Sequence, residues 1–423
     1  MRNNRTNYQH RHILAHNCTA ETDTWKTGVN NNILIFGPSG SGKTRHYVKP
    51  NIMTSHESMI ISDTKGTLYE ELGPLLRQHG FTVHNINFTA LSGSDGYNPL
   101  NYIRCDGYWN EQDILTLSHC LIEDWHSNDP YWCHAARQYL ACLISYVLET
   151  MSPEKRTLKE VMRLLSVMDG EKFPALIEES SLLYPRSTTA LRYRAFRGIA
   201  KAEKMDASIR GIISTNLDPL CFDQACALYC RDRQIDFAEL GRKKCAVFLT
   251  ISDTDRSMDK LANIFMTQAL QILMRSADHD YPEHRLPIPV RFYLDDFASN
   301  MYIPDFDKII SVVRSREISI SVILQSLTQL NSLYGKDRAA TILNNCDRQL
   351  YLGGQDLDTA EYISHRANKP MEQILAMPVD HAWLFTRGQK PVMTEKYDIS
   401  SLEAELYASP SDAEPDEELS MSV

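Results

Sequence analysis

Apolar residues along this chain follow two rhythms, and the switch between them marks out its parts. From residue 30 to 104, short runs such as "NILIF" (32–36), "MIIS" (59–62) and "FTVHNINF" (81–88) predict strands, with helical stretches between them. Across 105–230 the strand signal fades. "HAARQYLACLISYVLETM" (134–151) and "LKEVMRLLSVM" (158–168) carry the 3.6-residue rhythm of helices. Pro130, Pro153, Pro174, Pro185 and Pro219 cut this stretch into several helices. Strand signals return with "CAVFLTIS" (245–252), "VRFYL" (290–294), "ISVIL" (320–324), "RQLYL" (348–352) and "HAWLF" (381–385). Strands alternating with helices imply a mostly parallel sheet covered on both faces. The pattern predicts an α/β fold interrupted by an all-α insertion: an N-terminal arm (1–28), one half of the α/β domain (29–104), the helical insertion (105–230) and the other half (231–400). Three independent domains in a row is the alternative. It is disfavoured because each α/β half is short of strands and their motifs complement each other.

Composition changes this picture little. The 423 residues are 43% hydrophobic and 23% charged, as in soluble globular proteins. The longest apolar stretch, "YLACLISYVL" (139–148), is too short to span a bilayer. The polar, basic N-terminus lacks the apolar core of a signal peptide, so a cytosolic location is expected. Net charge is −10, but residues 401–423 alone hold seven acids and no basic residue. That tail is expected to be disordered, and the body is near neutral, so a nucleic-acid site must be a local basic stripe. Ten cysteines are present, yet the spacing of Cys221, Cys226 and Cys230 matches no common zinc pattern; buried, reduced thiols are expected.

The chemistry starts at "GPSGSGKT", in which Gly37, Pro38, Ser39, Gly40, Ser41, Gly42, Lys43 and Thr44 follow a strand and precede a helix. Glycines let backbone N–H groups turn inward around phosphates, Lys43 reaches the β and γ phosphates, and the Thr44 hydroxyl ligates Mg²⁺. Pro50 lacks a backbone donor, so the following helix must be short or kinked. A phosphate loop needs a carboxylate from a neighbouring strand end, and "RFYLDDF" (291–297) supplies two. Asp295 suits the metal shell; Asp296 suits a general base that polarises water. Adjacent strand residues point to opposite faces, so both roles require the chain to leave the strand here. The alternative is a pair of solvated loop acids. Gln325, at the end of another strand, is either a γ-phosphate sensor or a buried hydrogen-bonded glutamine. Arg316 is either an inter-subunit arginine finger or half of a surface salt bridge.

These motifs, with "ISDTKGTLYEEL" (61–72), "YNPLNYI" (97–103), "DPYWCHAARQYL" (129–140), "YLDDFASNMYIPDFDKIISVVRSREISISVILQSLTQL" (293–330) and "ILNNCDRQLYLGGQD" (342–356), resemble the type IV secretion coupling proteins, the TraG-like ATPases of bacterial conjugation. The resemblance runs from about residue 28 to 400 and rests on the order and spacing of the blocks. It implies a RecA-like P-loop NTPase with an inserted all-α domain, using ATP and Mg²⁺. It implies a homo-hexamer that moves single-stranded DNA with its bound relaxase toward a type IV secretion channel. It makes Lys43 and Thr44 loop residues, Asp295 the metal-shell acid, Gln325 a nucleotide sensor and Arg316 the finger, and places Asp63 near the nucleotide. This chain departs from the pattern in two ways. Relatives usually carry Glu where Asp296 stands, and a displacement of about 1 Å at a reacting group can cost roughly a hundredfold. Relatives also usually carry N-terminal transmembrane helices. The expected form here is a soluble one, peripheral at the membrane's inner face; either a separate protein anchors it, or it is a truncated or cytosolic variant.

One basic stripe qualifies as a DNA contact. If 184–211 is helical, Arg194, Arg197, Lys201 and Lys204 fall within about 80° of arc, with Tyr193 and Phe196 interleaved. The alternative is a solvated charged face with the aromatics in the core. Two rivals to a DNA-pumping motor stand: a nucleotide-gated docking platform with little turnover, and a double-stranded DNA translocase of the same motor fold.

Overall fold

The computed structural model describes residues 11–123, 130–167, 172–183, 187–199, 203–297 and 301–407. At the N-terminus, β1 (Arg11–Ala15) and β2 (Cys18–Glu21) pair antiparallel and lead into α1 (Thr24–Thr27). There follow β3 (Ile33–Phe36), α2 (Lys49–Met53), β4 (Ser58–Asp63), α3 (Thr67–Gln78) and β5 (Thr82–Asn87). A helical segment comes next: α4 (Glu111–Leu121), α5 (Pro130–Thr150), α6 (Leu158–Val167), α7 (Lys172–Leu183), α8 (Thr188–Ile199), α9 (Glu203–Leu217) and α10 (Asp223–Tyr229). Then β6 (Cys245–Thr250), α11 (Asp259–His279), β7 (Val290–Leu294), β8 (Ile318–Leu324), β9 (Arg348–Tyr351), β10 (His381–Thr386) and β11 (Val392–Glu395) complete the sheet.

Nine strands form one sheet in the order β11-β10-β9-β3-β8-β7-β4-β6-β5. All neighbours are parallel except β10, which runs antiparallel to β9 and β11. Strands from before and after the helical segment alternate within this sheet. The helical segment runs between β5 and β6 of this one sheet.

Buried side chains explain the sheet. Along β3, Leu34 and Phe36 face one core and Ile33 and Ile35 the other, as the two-residue period of a strand demands. The first core merges with the helical segment, where α5 is the hub. Phe196 of α8 stacks on Tyr139 of α5 at 4.2 Å between ring centroids, with planes 9° apart.

Residues 1–10 of the expected N-terminal arm lie outside the described residues; within the rest of it Ile13, Leu14 and Ala15 are buried, and Ile13 N–H donates to Asn51 Oδ1 at 2.7 Å. Two expectations need correction. The expected disordered tail begins with a helix, Ser400–Tyr407, held because Leu402 inserts into the core with Ile33 and Ile35. Residues 408–423 lie outside the described residues. The cysteines are free, as expected, but not all buried: Cys105 and Cys230 are exposed. Among the described residues no group of His, Cys, Asp and Glu is arranged to hold a metal ion, and no helix is long and apolar enough to cross a membrane.

Candidate functional site

Four neighbouring strands build the site. β3, β8, β7 and β4 lie side by side and parallel, so the residues at and just after their C-terminal ends emerge at one edge. Those residues are the glycine loop, Gln325, the Asp295–Asp296 pair and Asp63. Together with Arg45, Lys49, Thr64, Lys65 and Asp253 they line a cavity of about 600 Å³.

The loop's shape follows from its glycines. Gly42 has φ +83°, and a Cβ there would lie 2.2 Å from the His46 ring. A Cβ on Gly37 would lie 2.3 Å from Ser41 Oγ, a buried hydroxyl with no hydrogen-bond partner. Beyond the loop, Thr44–Val48 forms a wide π turn closed by Lys49 N–H on Thr44 O, and α2 follows with Pro50 in its first turn. Proline has no N–H to close a regular turn onto His46, so the ladder shifts by one residue. This is the short, irregular helix that Pro50 predicts. The Lys43 ammonium bends back over the loop, donating to Gly37 O at 2.8 Å and Pro38 O at 3.3 Å.

Both acids turn into this cavity because the strand stops at Leu294. Asp296 adopts the left-handed conformation, φ +49°, which brings its side chain to the same side as its neighbour's. Thr44 Oγ1 donates to Asp295 Oδ2 at 3.0 Å, joining residues 251 apart in sequence. Asp296 Oδ1 lies 3.5 Å from Lys43 Nζ and accepts from Gln325 Nε2 at 3.3 Å. Gln325 is thus a partner of the second acid. Burial, with the nearby Asp296 charge, raises the Asp295 pKa to about 6 against the opposing pull of Lys43 and Thr44. The carboxylate–hydroxyl pair and the folded-back ammonium suit a divalent cation and a chain of phosphates.

Asp63 sits at this edge, but its carboxylate is occupied. Oδ2 accepts from the N–H groups of Leu68 at 2.8 Å and Tyr69 at 3.2 Å, and Oδ1 from that of Lys65 at 3.2 Å. It holds the start of α3 and shapes the 64–67 loop. Burial raises its pKa, and these N–H groups oppose the rise. Ser62 was not singled out in the sequence. Its buried hydroxyl accepts from Asp295 N–H at 2.6 Å and donates to Asp295 O at 3.2 Å, fixing the turn. No motif marks such a serine, because its partner comes from a distant strand.

Other expected residues lie elsewhere. Arg316 precedes β8, at the end of the strand opposite the cavity, and makes a two-pronged ion pair with Asp278 at 2.8 Å. Arg194 and Arg197 are exposed on α8, but Phe196 between them is core. Lys204 belongs to the separately bounded α9, and Lys201 lies outside the described residues. The continuous stripe with interleaved stacking aromatics is therefore not what the structure displays.

Comparison with known proteins agrees with the fold. The family profile described as type IV secretory system conjugative DNA transfer matches residues 1–370. A conjugal transfer protein TraG of Escherichia coli is 21% identical over 352 residues, 78% of this chain and 54% of that protein. Protein VirD4 of Agrobacterium fabrum is 26% identical over 349 residues, 78% of this chain and 48% of that protein. The chain thus spans about half the length of these relatives. Among solved structures, the unbound monoclinic form of the bacterial conjugative coupling protein TrwBdeltaN70 superposes with a TM-score of 0.66 at 14% identity, covering 92% of this chain and 88% of that one. The plasmid coupling protein TrwB in complex with ADP and Mg²⁺ does so with 0.63 at 15%, covering 87% and 86%. These likenesses establish the fold, a RecA-like α/β architecture.

Proposed function

Since the chain belongs to the type IV secretory system conjugative DNA transfer family, we propose that it is an ATP-driven coupling protein. It recruits a relaxase–single-stranded DNA substrate and pumps it toward a type IV secretion channel. One observation carries the reading: Lys43, Thr44, Asp295, Asp296 and Gln325, from three neighbouring strand ends, line one cavity. The ADP and Mg²⁺ in the TrwB complex support ATP and Mg²⁺ as cofactors here.

Residues 37–44 would hold the phosphates, and Thr44 and Asp295 the Mg²⁺. When bound, the metal neutralises developing phosphate charge. Lys43 must leave Gly37 O and Asp296 to reach a phosphate, which frees the Asp296 carboxylate to orient a water. Gln325, bonded to that carboxylate, positions it. Arg316 lies at the end of β8 opposite its own chain's cavity, so it acts only toward a neighbouring copy of a ring, the proposed hexamer, after releasing Asp278. Arg194 and Arg197 remain the proposed DNA contacts on the helical insertion.

A docking platform with little turnover is the second reading. The observation favouring it is that Asp296, shorter than the glutamate usual in relatives, is held by both Lys43 and Gln325. Steady-state ATP hydrolysis with and without single-stranded DNA separates the two. DNA-stimulated turnover, abolished in Lys43→Ala, is expected. Tight ATP binding without turnover would exclude the motor.

A further inference from the structure

The strand β11 ends where the phosphate loop begins to be held from outside. Lys396, the next residue, has a buried side chain whose Nζ donates to Ser41 O at 2.9 Å. Its backbone is fixed as well, Lys396 N–H donating to Asp380 O at 2.7 Å. One residue on, Tyr397 O accepts from His46 Nδ1 at 2.7 Å, so that ring nitrogen carries the proton. The His46 ring is the group that fills the space where a Gly42 side chain would lie. Ile399 and Leu402 then anchor this segment in the core shared with Ile33, Ile35 and Tyr47.

The consequence follows from peptide geometry. In a trans peptide the C=O and the following N–H point in opposite directions. Lys396 holds the Ser41 carbonyl on the loop's outer side. The N–H of the same peptide unit, that of Gly42, is thereby directed to the other side, where Gly42, Lys43 and Thr44 line the cavity. A phosphate loop works only with its N–H groups turned inward. Burial lowers the Lys396 pKa, and the Asp380 charge opposes this.

We propose that Lys396 is a positioning residue that locks the Ser41–Gly42 peptide in its phosphate-accepting orientation, making nucleotide affinity depend on the C-terminal segment 396–407. This segment lies beyond residues 1–370, which the family profile matches. The inference rests on the reading of the cavity as a nucleotide site.

The test uses the full chain, a fluorescent ADP with Mg²⁺ as probe, and hydrogen exchange of the peptide covering residues 37–44. Lys396→Met, matched in length, weakens ADP binding about tenfold, the scale of one lost charge-assisted hydrogen bond. It also speeds exchange in the loop. Lys396→Arg, which can still donate, restores affinity to within about threefold of the parent. Unchanged affinity and loop exchange in Lys396→Met would overturn the proposal. So would a general loss of thermal stability that Lys396→Arg does not repair, since that marks packing alone. Lys43→Ala is the control: if it binds ADP like the parent, the nucleotide-site reading fails by itself.

Discussion

At the residue scale the account turns on Asp296. Its left-handed backbone lets two consecutive acids serve one cavity, and short polar side chains are the ones that tolerate that conformation. Asparagine tolerates it equally, so Asp296→Asn removes the charge without disturbing the turn. Single-turnover hydrolysis should fall at least about a hundredfold, with ADP affinity within about threefold of the parent, the signature of a group used in the chemical step. An equal loss of binding would show that Asp296 shapes the loop. Ser62 and Asp63 act one layer further out: the first fixes the Asp295 turn and the second fixes the start of α3.

At the element scale, the helical segment depends on the α5–α8 contact. Phe196→Ala removes a buried ring stacked on Tyr139 and should lower unfolding stability by about 3–5 kcal/mol, read by denaturant melts. Arg194→Ala, exposed two residues away on the opposite side of the same helix, should leave stability within about 0.5 kcal/mol. This contact also shows what the sequence hides. Basic residues flanking an aromatic look the same whether the ring stacks on a base or fills a core, and only the packing of α5 decides. The sheet was legible because buried parallel strands are near-continuous apolar runs, as in "CAVFL" (245–249) and "ILIF" (33–36). The hairpin β1–β2 and edge strand β11 were not legible. They are only four or five residues long, β2 is only partly buried and β11 largely exposed, and β1 is held by a tertiary partner, Asn51. The P-loop and both acids could be read because their chemistry constrains residue type at fixed spacing. Lys396 and Ser62 act through backbone atoms of distant segments, which leave no local mark.

At the scale of the molecule, one sheet collects chemistry from both sides of a long helical segment, and Arg316 lies at the end of β8 opposite its own chain's cavity, paired with Asp278. If it serves a neighbour, Lys43→Ala and Arg316→Ala should each be inactive alone but recover partial DNA-stimulated turnover when mixed. Mixtures that stay inactive would remove Arg316 from the site. The central claim is that Thr44 and Asp295, remote in sequence, hold one Mg²⁺–nucleotide. The folded pKa of Asp295, about 6, lies above its ordinary value of 3.8. The folded chain thus binds that proton more tightly, and this carboxylate costs stability as pH rises from about 4 to about 6. Asp295→Asn should therefore raise thermal stability of the nucleotide-free chain by about 1–3 kcal/mol at pH 7.5, a gain that vanishes near pH 4. The deciding measurement is calorimetric titration of ADP into the parent and Asp295→Asn, each with Mg²⁺ and with EDTA. The parent should bind at least about tenfold tighter with Mg²⁺, and the more stable variant should show no such difference. A full magnesium effect surviving in Asp295→Asn would contradict the account.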